Sequence, residues 1–157
     1  MNHAILSQEI RELKNRIDAL HNNPNHIDAK AELEKIPGQR EKIQHAMEVL
    51  RSILEHPERL SPMENGAVYS LSIPDAEASG WERIEAETSA EVMTRLGTRA
   101  AHNLDQLTKK QAELGQDEAK LKIIIGGFES ELAGLTARRK LLEQDLLREN
   151  RDAEQAG

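Results

Sequence analysis

The C-terminal half of this 157-residue chain repeats an apolar residue at every seventh position: Ala86, Met93, Ala100, Leu107, Leu114, Leu121, Phe128, Leu135 and Leu142. A companion column, three residues earlier in each heptad, reads Ala90, Gly97, Leu104, Gln111, Glu118, Ile125, Leu132, Arg139 and Leu146. With the heptad lettered a to g, these are columns d and a. A free α-helix drifts by about 20° per heptad, so a repeat of seven held this long predicts a straight seam laid against other helices, as in a coiled coil. Few other folds accommodate such a pattern.

Leu6, Ile10, Leu13, Ile17 and Leu20 are spaced 4-3-4-3 and predict a short first helix, broken near residues 22–25 by Asn22-Asn23-Pro24-Asn25. A second stripe (Ala29, Leu33, Ile36, Ile43, Met47, Leu50, Leu54) is interrupted by Arg40 and carries Pro37-Gly38 inside it. Its register runs on through the pair, which predicts a kink near 37–38, with a tight turn between two short helices as the alternative. Residues 1–56 thus form an N-terminal helical arm. Residues 57–80 hold Pro57, Pro62, Asn65-Gly66, Pro74 and Gly80 and read as the connecting loop. Within them Tyr69, Leu71 and Ile73 alternate with serines, the period of a half-buried strand. Asn65-Gly66 is a hairpin signal, while Ser61-Pro62-Met63-Glu64 fits a helix start instead. Irregular loop with one short strand is the reading adopted. Ser79-Gly80-Trp81-Glu82 reads as a capping box opening a long heptad helix over 81–150, roughly 100 Å if unbroken. A polar tail, 151–157, follows.

Composition supports elongated helical packing over a thick globular core. Only three aromatics occur (Tyr69, Trp81, Phe128), and 31% of residues are charged. The net charge of −7 is evenly spread, with 9 basic and 13 acidic residues in 1–80 and 12 and 15 in 81–157. That field disfavours nucleic acid and anionic membranes. There is no cysteine, hence no disulfide framework. The first ten residues lack the basic and apolar regions of a secretory leader, and no apolar run reaches membrane-spanning length. The expected location is cytoplasmic, or a virion if the chain is phage-derived.

A second seam is suggested on the outer side of the long helix. Column b reads Ala112, Ala119, Gly126 and Ala133; column f reads Gln116, Ile123, Ser130 and Ala137. A solvated face favours Glu, Lys and Gln, yet this one is small and apolar over about 26 residues. Two mid-helix glycines cost ~2 kcal/mol relative to alanine. Ala112, Ala119, Ile123, Gly126, Ser130, Ala133 and Ala137 are therefore candidate interaction residues. The competing reading takes alanine as helix filler and Gly126-Gly127 as a break. Gln111, Glu118 and Arg139 in column a either set register or reach water where the facing chain is short.

Chemistry is sparse. The six histidines (His3, His21, His26, His45, His56, His102) show no metal-ligand spacing, no phosphate-cradling loop occurs, and nothing suggests a nucleophilic triad. Arg138-Arg139-Lys140 and Lys109-Lys110 are short basic patches best read as solvated helix surface. No catalytic residue, cofactor, metal or small-molecule substrate is expected.

The expectation is an all-α fold: an extended helical hairpin or coiled coil with a long C-terminal helix and room for a small β element in the connection. Two long arms joined by such an element resemble the prefoldin architecture in outline, which by itself implies no activity. The leading functional expectation is a non-enzymatic, self-associating structural or assembly protein, such as a phage or bacterial scaffold, a virion or tail component, or an adaptor. Leu107, Leu114, Leu121, Phe128, Leu135 and Leu142 would form its coiled-coil core. The alternative is a helical chaperone or inhibitor of one protein partner, gripping through the second seam or through Tyr69, Leu71, Ile73 and Trp81 at the bend.

Overall fold

A computed structural model describes residues 3–156. The order of elements is α1 (His3–His21), α2 (Pro24–Glu55), a single 3-10 turn (Pro57–Arg59), β1 (Met63–Asn65), β2 (Val68–Pro74), β3 (Trp81–Ala86) and α3 (Ser89–Ala156). The protein is mostly helical, and its long C-terminal helix alone spans 68 residues. Two compact units are present: Lys35–Glu118 form one, and the residues up to Glu34 together with those from Ala119 form the other.

An all-α reading of the chain is incomplete, because three strands form an antiparallel sheet in the order β1-β2-β3. Within the expected connecting loop over 57–80, Met63–Asn65 and Val68–Pro74 are strands. Gly66, at φ +71°, opens a two-residue turn between the paired residues Asn65 and Val68. Positive φ at the first turn position suits the right-handed twist of the flanking strands. The hairpin reading prevails over the helix start at Ser61–Glu64, and Pro62 lies just ahead of an edge strand, where no ladder N–H is needed.

The start of the long helix also needs correction. Ser79–Glu82 caps nothing: Trp81–Ala86 pair with β2, Ile84 opposite Leu71 and Ala86 opposite Tyr69. Glu82, Ile84 and Ala86 alternate inward, a period-2 pattern within the stretch assigned to the heptads. Ala86 is therefore a buried strand residue and no member of column d. The helix begins at Ser89, where the Thr88 hydroxyl accepts the Glu91 N–H at 3.1 Å. Thr88 and Glu91 have the spacing of a capping box, nine residues beyond the one expected. At the other end α3 runs on through Arg151 to Ala156, so those residues are helical; Gly157 lies outside the described residues. Pro37 sits inside α2, which is not split into two helices there.

The Lys35–Glu118 unit has the larger core. Ile43, Met47, Leu50 and Ile53 of α2 and Val92, Leu96, Ala100 and Leu107 of α3 enclose Ile73, Ile84 and Ala86 of the sheet. In this unit the polar interruptions of the two stripes meet: Arg40 Nη2 donates to Glu118 Oε2 at 2.8 Å. Each is half-buried, so the pair defines register more than it adds stability. In the other unit Leu6, Leu13 and Ile17 of α1 pack with Leu135 and Leu142 of α3. His26, 3% exposed, stacks on Phe128 with ring centroids 4.7 Å apart. From Leu104 to Leu146 every a and d position of α3 is buried or half-buried, Gln111, Glu118 and Arg139 included. Arg139 reaches its own-helix neighbour Glu143 at 2.9 Å.

The turn between β2 and β3 is organised by Asp75. Its Oδ1 accepts the N–H groups of Glu77 and Ser79, each at 3.0 Å, and its Oδ2 accepts the Ser79 hydroxyl at 2.9 Å. Desolvation pushes the carboxyl up, but these hydrogen bonds outweigh it and hold the group below its ordinary value of 3.8. A lowered folded-state value means that the stabilisation is complete above 3.8 and is lost as pH falls through the folded value. Asp75→Ala is expected to cost ~1 kcal/mol at neutral pH, and urea unfolding of variant and parent should converge in strong acid.

Candidate interaction surfaces

Two exposed surfaces lie outside the buried cores. The first lies on α3 in the unit that contains its C-terminal part. A residue turns by 100° about the helix axis, which puts Ala119, Ile123, Gly126, Ser130 and Ala137 within one narrow stripe, with Ala133 at its margin. All six are exposed, and Ile123 is 75% exposed. Leu141, 63% exposed, continues the stripe. Ala112, in the other unit, is exposed as well. Gly126-Gly127 does not break the helix. A methyl group built on Gly126, Gly127 or Gly134 would meet nothing within 4 Å. The internal packing of the described residues therefore does not require glycine at these positions. Their propensity cost, ~1 kcal/mol each, is left without an internal reason.

The second surface surrounds the bend. Of the four residues singled out there, Ile73 is fully buried, and Tyr69 and Leu71 are half-buried against the same core. Ile73 holds the sheet on the helices, while Tyr69 and Leu71 pack against the same core with part of each side chain still exposed. Trp81 differs: it is 68% exposed and borders a groove of about 400 Å³ with Lys42, His45, Val49, Pro74 and Ala78. The sequence pattern does not separate these roles, because inward and outward aromatics look alike until strand pairing is known.

The d-column residues occupy the opposite side of α3. Leu107, Leu135 and Leu142 are buried, and Leu114, Leu121 and Phe128 are half-buried. Asn103, which no sequence pattern flagged, is fully buried beside the sheet. Its amide nitrogen donates to the Pro74 carbonyl at 3.0 Å and to Glu82 Oε2 at 2.9 Å, while Glu82 also holds Arg99. This cluster fastens the β2–β3 end to α3.

Among the described residues no group of three His, Asp or Glu is placed to hold a metal ion, and no helix is long and apolar enough to cross a membrane. Within the basic patches Lys109 pairs with Asp105 at 3.1 Å and the half-buried Arg139 with Glu143. Neither family models, nor curated protein sequences, nor solved structures provide a significant match to this chain.

Proposed function

We propose that this chain is a non-enzymatic assembly protein that associates with copies of itself through the outer face of α3. The observation that carries the reading is the uncharged stripe from Ala119 to Ala137, in which Ile123 is exposed and the glycines have open space around them. Glycine in mid-helix makes sense where a second backbone approaches closely, and an exposed isoleucine makes sense where it is covered.

The face is also complementary to itself. In an antiparallel pairing about a two-fold axis at Gly126-Gly127, residue numbers at the same height sum to 253. Ile123 then stands opposite Ser130, a large side chain against a small one, and Ala119 opposite Gly134, two small residues that allow close approach. Such an isologous contact closes as a dimer.

Sedimentation equilibrium at tens of micromolar is expected to give a dimer that Ile123→Lys converts to monomer. Gly126→Leu should do the same by holding the backbones apart. A monomeric parent chain at these concentrations overturns the reading. So does a dimer that both substitutions leave intact.

A second reading rests on Trp81: a protein partner seated in the adjoining groove, using the exposed indole as its anchor. Trp81→Ala should then abolish partner binding and leave the oligomeric mass unchanged.

A further inference from the structure

β3 is an edge strand, paired with β2 on one side only. The direction of its backbone groups follows from one printed bond. Asp75 N–H donates to Gly80 O at 3.1 Å, and hydrogen-bonded pairs alternate along an antiparallel ladder. Ile73 with Glu82, Leu71 with Ile84, and Tyr69 with Ala86 are then the hydrogen-bonded pairs. Trp81, Arg83 and Glu85 direct their N–H and C=O groups away from β2. Arg95 agrees with this phase, since its Nη1 reaches the Glu85 carbonyl at 2.7 Å from α3.

Between this edge and α3 lies a groove of about 530 Å³, lined by Arg83 and Glu85 on the strand and by Arg95, Thr98, Arg99 and His102 on the helix, among others. Three arginines line it against one glutamate, in a chain whose net charge is −7. Two of the arginines are matched by carboxylates: Arg83 pairs with Glu85 at 2.7 Å, and Arg99 with Glu82. Arg95 is held by a backbone carbonyl, which positions the guanidinium without neutralising it. An exposed strand edge beside an arginine-lined helix offers main-chain hydrogen bonds and a carboxylate seat together.

We propose that this groove binds an extended acidic peptide segment of another protein, which adds to β3 as a fourth strand and lays a carboxylate against Arg95. Main-chain pairing supplies affinity in strand addition, and side-chain seats supply specificity. Arg95 can keep its bond to Glu85 O and still offer its remaining N–H donors to the carboxylate. The site is separate from the α3 face used for self-association.

The test uses the full chain and a fluorescein-labelled hexapeptide of alternating threonine and glutamate, followed by fluorescence anisotropy. Saturable binding is expected, weakened at least tenfold by Arg95→Gln and similarly by 0.5 M salt. A peptide with proline in place of each threonine, lacking those N–H groups, should also bind at least tenfold more weakly. In the unsubstituted chain, the peptide should slow hydrogen exchange at the amides of Arg83 and Glu85, a readout that needs no substitution to fold. The proposal is overturned by the absence of saturable binding at millimolar peptide, by equal binding of the proline peptide, or by unchanged exchange at both amides. Unchanged binding in a folded Arg95→Gln chain, or equal binding of a lysine-for-glutamate peptide, also overturns it.

Discussion

Asn103→Asp is expected to destabilise the Lys35–Glu118 unit by about 4 kcal/mol at neutral pH, although it changes shape hardly at all. Asn103 is fully buried and uses its amide nitrogen twice, toward the Pro74 carbonyl and the Glu82 carboxylate. Its Oδ1 has no hydrogen-bond partner, so the residue serves here as a donor. Aspartate would replace both donations with repulsion and bury a charge beside another carboxylate. The sign of the pH effect follows. Such an aspartate is worse off ionised, so its folded-state pKa rises above the ordinary value. The charge penalty is full above that raised value, shrinks as pH falls through it, and vanishes below the unfolded-state value. Urea unfolding at pH 7 and at pH 4.5, each against the parent chain, should therefore show a smaller gap at the lower pH. A gap under ~1 kcal/mol at pH 7 would mean that Asn103 is not the fastener described.

Leu107→Ala and Leu141→Ala, on the same helix, should differ by about 3 kcal/mol or more in chain stability. Leu107 is fully buried among residues of α2, α3 and the sheet, and truncating it removes apolar area and leaves a cavity. Leu141 is 63% exposed, and its truncation should stay within ~0.5 kcal/mol when measured on dilute chain. On the proposed self-association, Leu141→Ala should also weaken the dimer at concentrations where it forms, because Leu141 continues the stripe of Ile123 and Ala137. Chemical denaturation at two protein concentrations separates the effects. Equal losses at both sites would show that α3 does not have one inner and one outer face.

From Leu104 to Leu146 the a and d columns mark the inner face of α3, whereas nearer its start Val92, Leu96 and Asn103, outside those columns, are fully buried. Leu107, Leu135 and Leu142 are buried and Ile123 lies on the opposite side of the helix, as the spacing implies. Ala86 shows where that reasoning fails. A period of seven contains positions that also satisfy a period of two over a few residues, and over Trp81–Ala86 the strand pattern wins. Two capping-box signatures stand nine residues apart, at Ser79 and Thr88, and local sequence does not rank them. Sheet pairing does, because the N–H groups near Ser79 are taken by Asp75 and β2.

The sequence by itself determined the helical character of the protein, the inner stripe of α3 and the uncharged outer one, since these depend on periodicity and on charge. Tertiary structure alone decided that the connection is a three-stranded sheet, that Asn103 is buried, that Arg40 meets Glu118, and that an arginine-lined groove flanks β3. Each of these depends on which residues distant in the chain become neighbours, and a side chain's burial and hydrogen bonds are properties of those neighbours rather than of its own position in a repeat.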